Sequence, residues 1–192
     1  MKHRQAEHER GVSYPGRARW AMPGDVDAIH AINLGSFRYP WTRAATMQIM
    51  RDSALICRVI DGPAFMGSRV AGYVCYAMRR DHVEIVSLAV RARYRRSTIG
   101  RALLSAAVAA MWRSPARRFV VMDIAERNTP AAVWARSCGM YCGGIVHLGP
   151  DDLAPDTTAV VDIDPDGIET GFYRFSMMRE AAPAAMQKGL IV

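Results

Sequence analysis

The chain has almost no lysine: of its 25 cationic side chains, 23 are arginine and 2 are lysine. Coding bias produces such a skew as readily as function does, and interleaved acids make a solvated basic surface the default reading of the net charge of +7. No apolar run approaches the ~20 residues that a membrane helix needs. The longest, residues 102–112, is one helix's worth and is interrupted by Ser105. The first ten residues are charged and lack the apolar stretch of a secretory signal, so they are expected to be a disordered lead-in. The four cysteines, Cys57, Cys75, Cys138 and Cys142, form no CxxC pair, and the five histidines have no i,i+4 pair. A disulfide framework and a zinc site are therefore not expected, and a reduced, cytoplasmic, metal-free chain is. No internal repeat is visible.

What is present is globular. Apolar residues make up 51% of the chain and charged residues 22%, a balance that folds rather than stays disordered. The 192 residues suit one domain with tails. The expected division is a lead-in over 1–16, a single domain over 17–180 and a tail over 181–192. Within the domain, residues 149–171 carry seven acids and three prolines and read as an acidic loop insertion.

In chain order, a short strand is expected over 17–22, followed by a turn at Pro23-Gly24-Asp25 with Asp25 as a helix N-cap. Ala28, Ile29, Ile32 and Phe37 then give a helical apolar stripe. Pro40 breaks it, and Thr42 caps a second helix through about residue 51. The aromatic break, with Tyr39 and Trp41, either lines a pocket for a substrate or plugs the core. Strands are expected over 54–61, 70–78 and 82–90, the last two closed as a hairpin by Arg79-Arg80-Asp81. A long Ala/Leu helix follows, then a buried strand over 117–124. Asn128 caps a further helix that Gly139 stops, and strands are expected over 141–148 and 172–178. This order fits a mixed, twisted α/β sheet, mostly antiparallel, with six to seven strands and about four helices.

The densest chemistry lies between residues 83 and 111. A β-branched apolar run enters a turn with five arginines among residues 91–101 and no acid, and the turn opens into the long helix. The first backbone N–H groups of a helix have no intrahelical partner, and the dipole favours negative charge beside them. This is an anion site. A nucleic-acid surface built on the same arginines is not expected, because no recognition motif accompanies them.

Residues 82–104 resemble the acetyl-CoA-binding segment of the GNAT superfamily of N-acetyltransferases. The family's turn, R/Q-x-x-G-x-G/A, stands here as Arg95-Arg96-Ser97-Thr98-Ile99-Gly100. Residues 128–140 are similar in spacing to the second family segment, N-x-x-A-x-x-L-Y-x-x-x-G-F. Phe37-Arg38-Tyr39-Pro40-Trp41-Thr42 resembles the F-x-P-W-S/T of the ribosomal-protein alanine acetyltransferases. The resemblance implies an acetyl-CoA pyrophosphate held by Arg95, Arg96, Ser97, Thr98, Ile99, Gly100 and Arg101, chiefly through backbone N–H groups. It implies pantetheine pairing along Leu88, Ala89 and Val90, with Leu88 or Ala89 polarising the thioester carbonyl, and a contact from Asn128. Acetyl-CoA is the implied cosubstrate, an amine on a protein or small molecule the acceptor, and no metal takes part.

Direct transfer to an amine needs a base, and the resemblance offers Glu84 or Asp123. Two departures from the family pattern stand out. Thr98 replaces the first glycine of the turn, which is costly if that position needs positive φ and cheap if it is helical. Ala135 stands where many relatives carry the tyrosine that protonates the departing thiolate. Those departures motivate an alternative, a catalytically weak or inactive acyl-CoA-binding module of the same fold.

Overall fold

The computed structural model describes residues 16–62, 70–147 and 171–180. Apart from Gly16 and Gly171, the expected lead-in, acidic segment and tail lie outside these residues. The chain runs through β1 (Arg19–Trp20), a 3-10 turn (Pro23–Asp25), α1 (Val26–Leu34), α2 (Arg43–Arg51), β2 (Leu55–Asp61), β3 (Val70–Met78) and β4 (His82–Val90). A second 3-10 turn (Ala92–Tyr94) leads to α3 (Ile99–Met111), β5 (Phe119–Ala125), α4 (Thr129–Ser137), β6 (Tyr141–His147) and β7 (Gly171–Met178).

Local signals set most of these boundaries. Thr42 Oγ1 accepts from Ala45 N at 3.1 Å and starts α2. Asn128 Oδ1 accepts from Ala131 N at 3.2 Å and starts α4, and Gly139 turns the chain out of that helix at φ 85°. Asp25 stands at the expected N-cap position of α1, but its side chain makes no cap bond to the helix. Its carboxylate accepts two bonds from the Arg19 guanidinium and one from Met22 N. Arg19 also reaches both oxygens of Asp61, because a paired guanidinium outbids a neutral amide for a carboxylate. The first strand and the entry to α1 are thereby tied to the end of β2.

The seven strands form one sheet in the order β1-β2-β3-β4-β5-β7-β6. All neighbours are antiparallel except β4 and β5, whose parallel pairing requires the crossover that α3 supplies. One face carries the core formed with α3 and α4, including Val74, Tyr76, Val83, Ile85, Leu103, Val120, Met122 and Phe175. The other carries the core formed with α1 and α2, including Ile29, Ile32, Trp41, Ile49, Val59, Tyr73 and Cys75.

A bulge in β4 positions the site. Tyr76 pairs with Ile85 while Cys75 pairs with Ser87, so Val86 is the extra residue. Before it, Val83 and Ile85 face α3. After it the phase reverses: Leu88 and Val90 pack towards α3, and Ala89 belongs to the α1/α2 core. Gly72 on β3 then lets α3 settle close, since a Cβ there would lie 3.0 Å from both Leu103 Cδ1 and Ala89 O.

Candidate active site

The parallel ladder between β4 and β5 is short. It joins residues 82–85 to 119–122 and then stops. Beyond it, β4 continues to Val90 paired only with β3, while β5 continues to Ala125 paired only with β7. A fork opens between two strands that were neighbours, and each keeps a row of backbone groups facing into it.

The phase of the β3–β4 ladder decides which groups those are. Arg91 N donates to Ala71 O at 2.8 Å, which makes Val90 and Gly72 a non-hydrogen-bonded pair. Antiparallel pairs alternate, so Ala89 directs its N–H and C=O at β3, and Leu88 and Val90 direct theirs at the fork. Of the three residues expected to pair with pantetheine, Leu88 and Val90 are placed to do so through their backbone. Ala89 is not, because its backbone groups are spent on β3. Arg95 Nε already donates to Val90 O at 3.1 Å, which leaves Leu88 and the Val90 N–H as the groups offered.

At the end of the fork lies the start of α3. The helical ladder opens with Ala102 N donating to Thr98 O at 3.0 Å, so the amides of residues 99–101 precede it. Ser97 Oγ accepts from Ile99 N at 3.3 Å and donates to Tyr94 O at 2.6 Å, pinning the turn. Thr98 has φ −73° and ψ −9°, ordinary right-handed helical values, so the cost feared for a β-branched residue there does not arise. Positive φ falls instead on Arg96, at 60°. The turn spends its left-handed residue two positions earlier than the glycine pattern suggests.

The arginines around this turn divide by task. Arg101 donates to Ser137 Oγ on α4 at 3.1 Å, and Gly100 packs against the Trp134 indole, whose nearest carbon a Cβ would meet at 3.3 Å. Those two contacts seat α4 beside the start of α3. Arg95 reaches the α1–α2 connection: its Nη2 donates to Gly35 O at 3.0 Å and Ser36 Oγ at 3.1 Å. Arg96 is exposed. Asn128 is exposed too, and its Oδ1 is engaged as the α4 cap, so only its Nδ2 is offered to a ligand.

Glu84 and Asp123 alternate away from the α3 core, onto the face that α1 and α2 cover. Glu84 sits beside Val121 within the parallel ladder, whereas Asp123 lies just past its end, at the fork. Neither stands alone. Arg79 Nε donates to Glu84 Oε2 at 2.7 Å. Arg174, opposite Asp123 on β7, donates to both of its oxygens at 2.9 and 2.7 Å. The pair raises the pKa of the Arg174 guanidinium, with Asp123 the largest cause and Glu84 a smaller one. Glu84, Asp123 and Arg174 therefore form one charged cluster on the α1/α2 face at the fork. Arg174 and Arg79 escaped sequence reading; the only signal for Arg174 was an arginine inside the apolar strand of Phe172 and Phe175.

The aromatic break resolves into two roles. Trp41 is 5% exposed, and its ring lies 6.1 Å from that of Tyr73. It plugs the core rather than lining a surface pocket. Tyr39 is half-buried, with the Arg38 guanidinium 5.3 Å from its ring centroid. A buried chain fixes the connection from below: Asn33 Oδ1 accepts from Trp41 N at 2.6 Å, Asn33 Nδ2 donates to Tyr73 OH at 2.8 Å, and Tyr73 OH meets Ser87 Oγ at 2.9 Å.

Ala135 is fully buried in the α3/α4 core, so the position of the missing tyrosine is occupied by packing. Tyr141 is 76% exposed on the edge strand β6. Tyr173 on β7 donates to Glu126 Oε1 at 3.2 Å, and that contact raises its pKa.

Residues 26–140 match the model of the acetyltransferase (GNAT) family. A putative ribosomal protein bS18-alanine N-acetyltransferase of Bacillus subtilis is 27% identical over 124 residues, covering 63% of this chain and 78% of the relative. Among solved structures, the ribosomal-protein-S18-alanine N-acetyltransferase of Escherichia coli superposes with TM-score 0.64 at 15% identity, covering 85% of this chain and 93% of its own. NAA60 of Arabidopsis thaliana, in complex with a bisubstrate analogue, gives 0.66 at 17% identity over 84% and 97%. The spermidine/spermine N-acetyltransferase SpeG of Vibrio cholerae gives 0.61 at 14% identity over 87% and 94%. At such identities the structural likeness establishes the fold.

Proposed function

The chain belongs to the GNAT family of acetyltransferases, and on that premise we propose that it transfers the acetyl group of acetyl-CoA directly to the α-amine of a protein N-terminus. The observation that carries the reading is the pairing of Asp123 with Arg174 at the mouth of the fork. Both carboxylate oxygens accept from one guanidinium, which fixes the carboxylate at the fork and leaves its remaining lone pairs open to an incoming amine. An α-amine, with an ordinary pKa of about 7.7–8.0, is partly neutral at physiological pH and asks little of a base. A lysine or polyamine amine, near 10.4, asks far more. The likeness to the Bacillus subtilis relative over 124 residues supports the same acceptor class.

In this reading the amides of Gly100 and Arg101 hold the pyrophosphate, the Ile99 amide being spent on Ser97 Oγ, and Leu88 with the Val90 N–H pairs with pantetheine in the fork. The thioester carbonyl lies against the Leu88 N–H, which stabilises the oxyanion as it forms. The amine approaches from the α1/α2 face past Tyr39. Asp123 accepts its proton through water, using the lone pairs that Arg174 leaves. The nitrogen then attacks the carbonyl carbon, the tetrahedral intermediate gives up one N–H proton to bulk water and collapses, and the C–S bond breaks. Coenzyme A leaves as a thiolate; with an ordinary thiol pKa near 8.5 it needs no protein acid to depart.

A thiol-release assay with acetyl-CoA and three acceptor classes tests this: peptides with free N-termini, N-blocked lysine peptides, and spermidine. Turnover concentrated on free N-termini is expected. Preference for lysine or spermidine would overturn the acceptor, and binding of acetyl-CoA without turnover on any amine would favour the acyl-CoA-binding module.

A further inference from the structure

Arg95 occupies the first position of the pyrophosphate turn, where a cation is naturally read as a phosphate ligand. Its contacts say otherwise. Nε donates to Val90 O at 3.1 Å, while Nη2 donates to Gly35 O at 3.0 Å and Ser36 Oγ at 3.1 Å. One side chain thus joins the last residue of the cofactor strand to the connection between α1 and α2, some 60 residues earlier in the chain. Gly35 ends α1, and Tyr39 and Trp41 follow within the same connection.

The α1–α2 connection has a second anchor on the same strand. Trp41 N is held by Asn33, Asn33 by Tyr73, and Tyr73 by Ser87, which is the first residue after the β4 bulge. Asn33 is 1% exposed, Tyr73 0% and Ser87 8%, so this chain is sealed from water and its bonds are rigid. The lower end of the connection is therefore locked into the core. Its upper end, carrying Gly35 and Ser36, is tied by Arg95 at the surface. Phe37 N and Ser36 N both reach back to Asn33 O at 3.0 Å, which makes the segment a short tethered arch rather than a free loop.

We infer that Arg95 is a positioning residue for the acceptor, a strap that holds the α1–α2 arch against the cofactor strand, and not a principal ligand of the pyrophosphate. The inference rests on the acetyltransferase reading of the fork. Because the strap begins on Val90 and on the turn itself, cofactor seated at residues 88–101 steadies the same backbone that carries the arch. The geometry needs a planar fork with donors directed at three acceptors; a lysine ammonium supplies the charge without that shape.

The test separates strap from phosphate ligand by comparing Arg95→Ala and Arg95→Lys with the wild-type protein. Acetyl-CoA affinity is measured by calorimetry and acceptor KM by thiol release with a saturating cofactor. For a strap, both variants raise acceptor KM by about tenfold, the loss expected of one charged hydrogen-bonding group, while acetyl-CoA affinity stays within about twofold. Ser36→Ala reproduces part of the KM effect. For a phosphate ligand, Arg95→Ala weakens acetyl-CoA tenfold, Arg95→Lys restores it, and acceptor KM does not move; that pattern, equal losses in both, or no change in either would overturn the inference. Amide hydrogen exchange needs no turnover: residues 35–39 exchange faster in both variants if Arg95 is the strap and unchanged if it is not. Absence of acetyl transfer by the wild-type protein would defeat the proposed function while leaving the exchange result to decide on Arg95.

Discussion

Arg174 donates to both carboxylate oxygens of Asp123, from Nε to Oδ1 at 2.9 Å and from Nη2 to Oδ2 at 2.7 Å. The two residues sit in register on adjacent strands, and the pair stands just where β4 and β5 part. Glu84 lies on the same face but inside the ladder, paired to Arg79. Asp123→Asn is therefore expected to lower kcat/KM by a factor of about 10² or more, in the usual range for a general base, and Glu84→Gln to lower it far less. Arg174→Gln removes the two bonds that orient the Asp123 carboxylate and is expected to lower kcat/KM by about tenfold, the loss of a charged hydrogen-bonding group. A larger loss in Glu84→Gln than in Asp123→Asn would reassign the base.

The backbone of the arginine turn before α3 makes an unequal demand on its residues. Arg96 is left-handed at φ 60°, and Thr98 is right-handed at φ −73°. Arg96→Gly should therefore be more stable than Arg96→Ala by about 1 kcal/mol, the cost of an L-residue in that region. Thr98→Gly gains nothing conformationally; acetyl-CoA affinity should stay within about twofold and stability fall by roughly 0.5–1 kcal/mol, the entropic cost of glycine at a helical position. Urea unfolding and calorimetry on the three variants check both statements.

Restoring the family tyrosine at position 135 should not restore an acid. Ala135 has no exposed surface and is enclosed by the α3/α4 core, so a phenol must displace its neighbours. Ala135→Tyr is expected to destabilise the fold by roughly 1–3 kcal/mol, the range for overpacked cores, with no gain in kcat. A rise in kcat at unchanged Tm would contradict this.

Alkaline pH should loosen the protein before it titrates arginine. A hydrogen-bond contact with Cys57 and burial hold the Cys75 thiol well above its ordinary pKa, and burial raises those of Cys138 and the Tyr73 phenol. Above a free thiol's value of about 8.5, the unfolded chain has released protons that the folded chain keeps. Stability then falls with rising pH, because the unfolded state binds fewer protons. Tm is expected to be level from pH 7 to 8 and to decline above about pH 8.5, less steeply in Cys138→Ala.

Much of this molecule is written locally. A continuous apolar run places β3 and an apolar, β-branched run places β4, Thr42 and Asn128 supply caps that work as such, and a basic turn before an Ala/Leu run marks the start of α3. These depend on neighbours within a few residues, so the sequence by itself determines them, along with the family that such segments identify. Asp25 takes its expected N-cap position, but its side chain is spent on Arg19, which acts together with Asp61, 42 residues beyond that arginine. The turn's left-handed residue was sought at Thr98 and lies at Arg96, a choice that φ alone reveals.

Only tertiary structure decided the chemistry at the fork. Whether Leu88, Ala89 or Val90 faces the fork depends on the phase of a ladder with β3 and on a bulge at Val86. Asp123 acquires its character from Arg174, which arrives from β7, and Arg95 acquires its task from Gly35 and Ser36. Each is a contact between strands or helices far apart in the chain. Side-chain type fixes what a residue can donate or accept; register and packing fix which partner is within 3 Å.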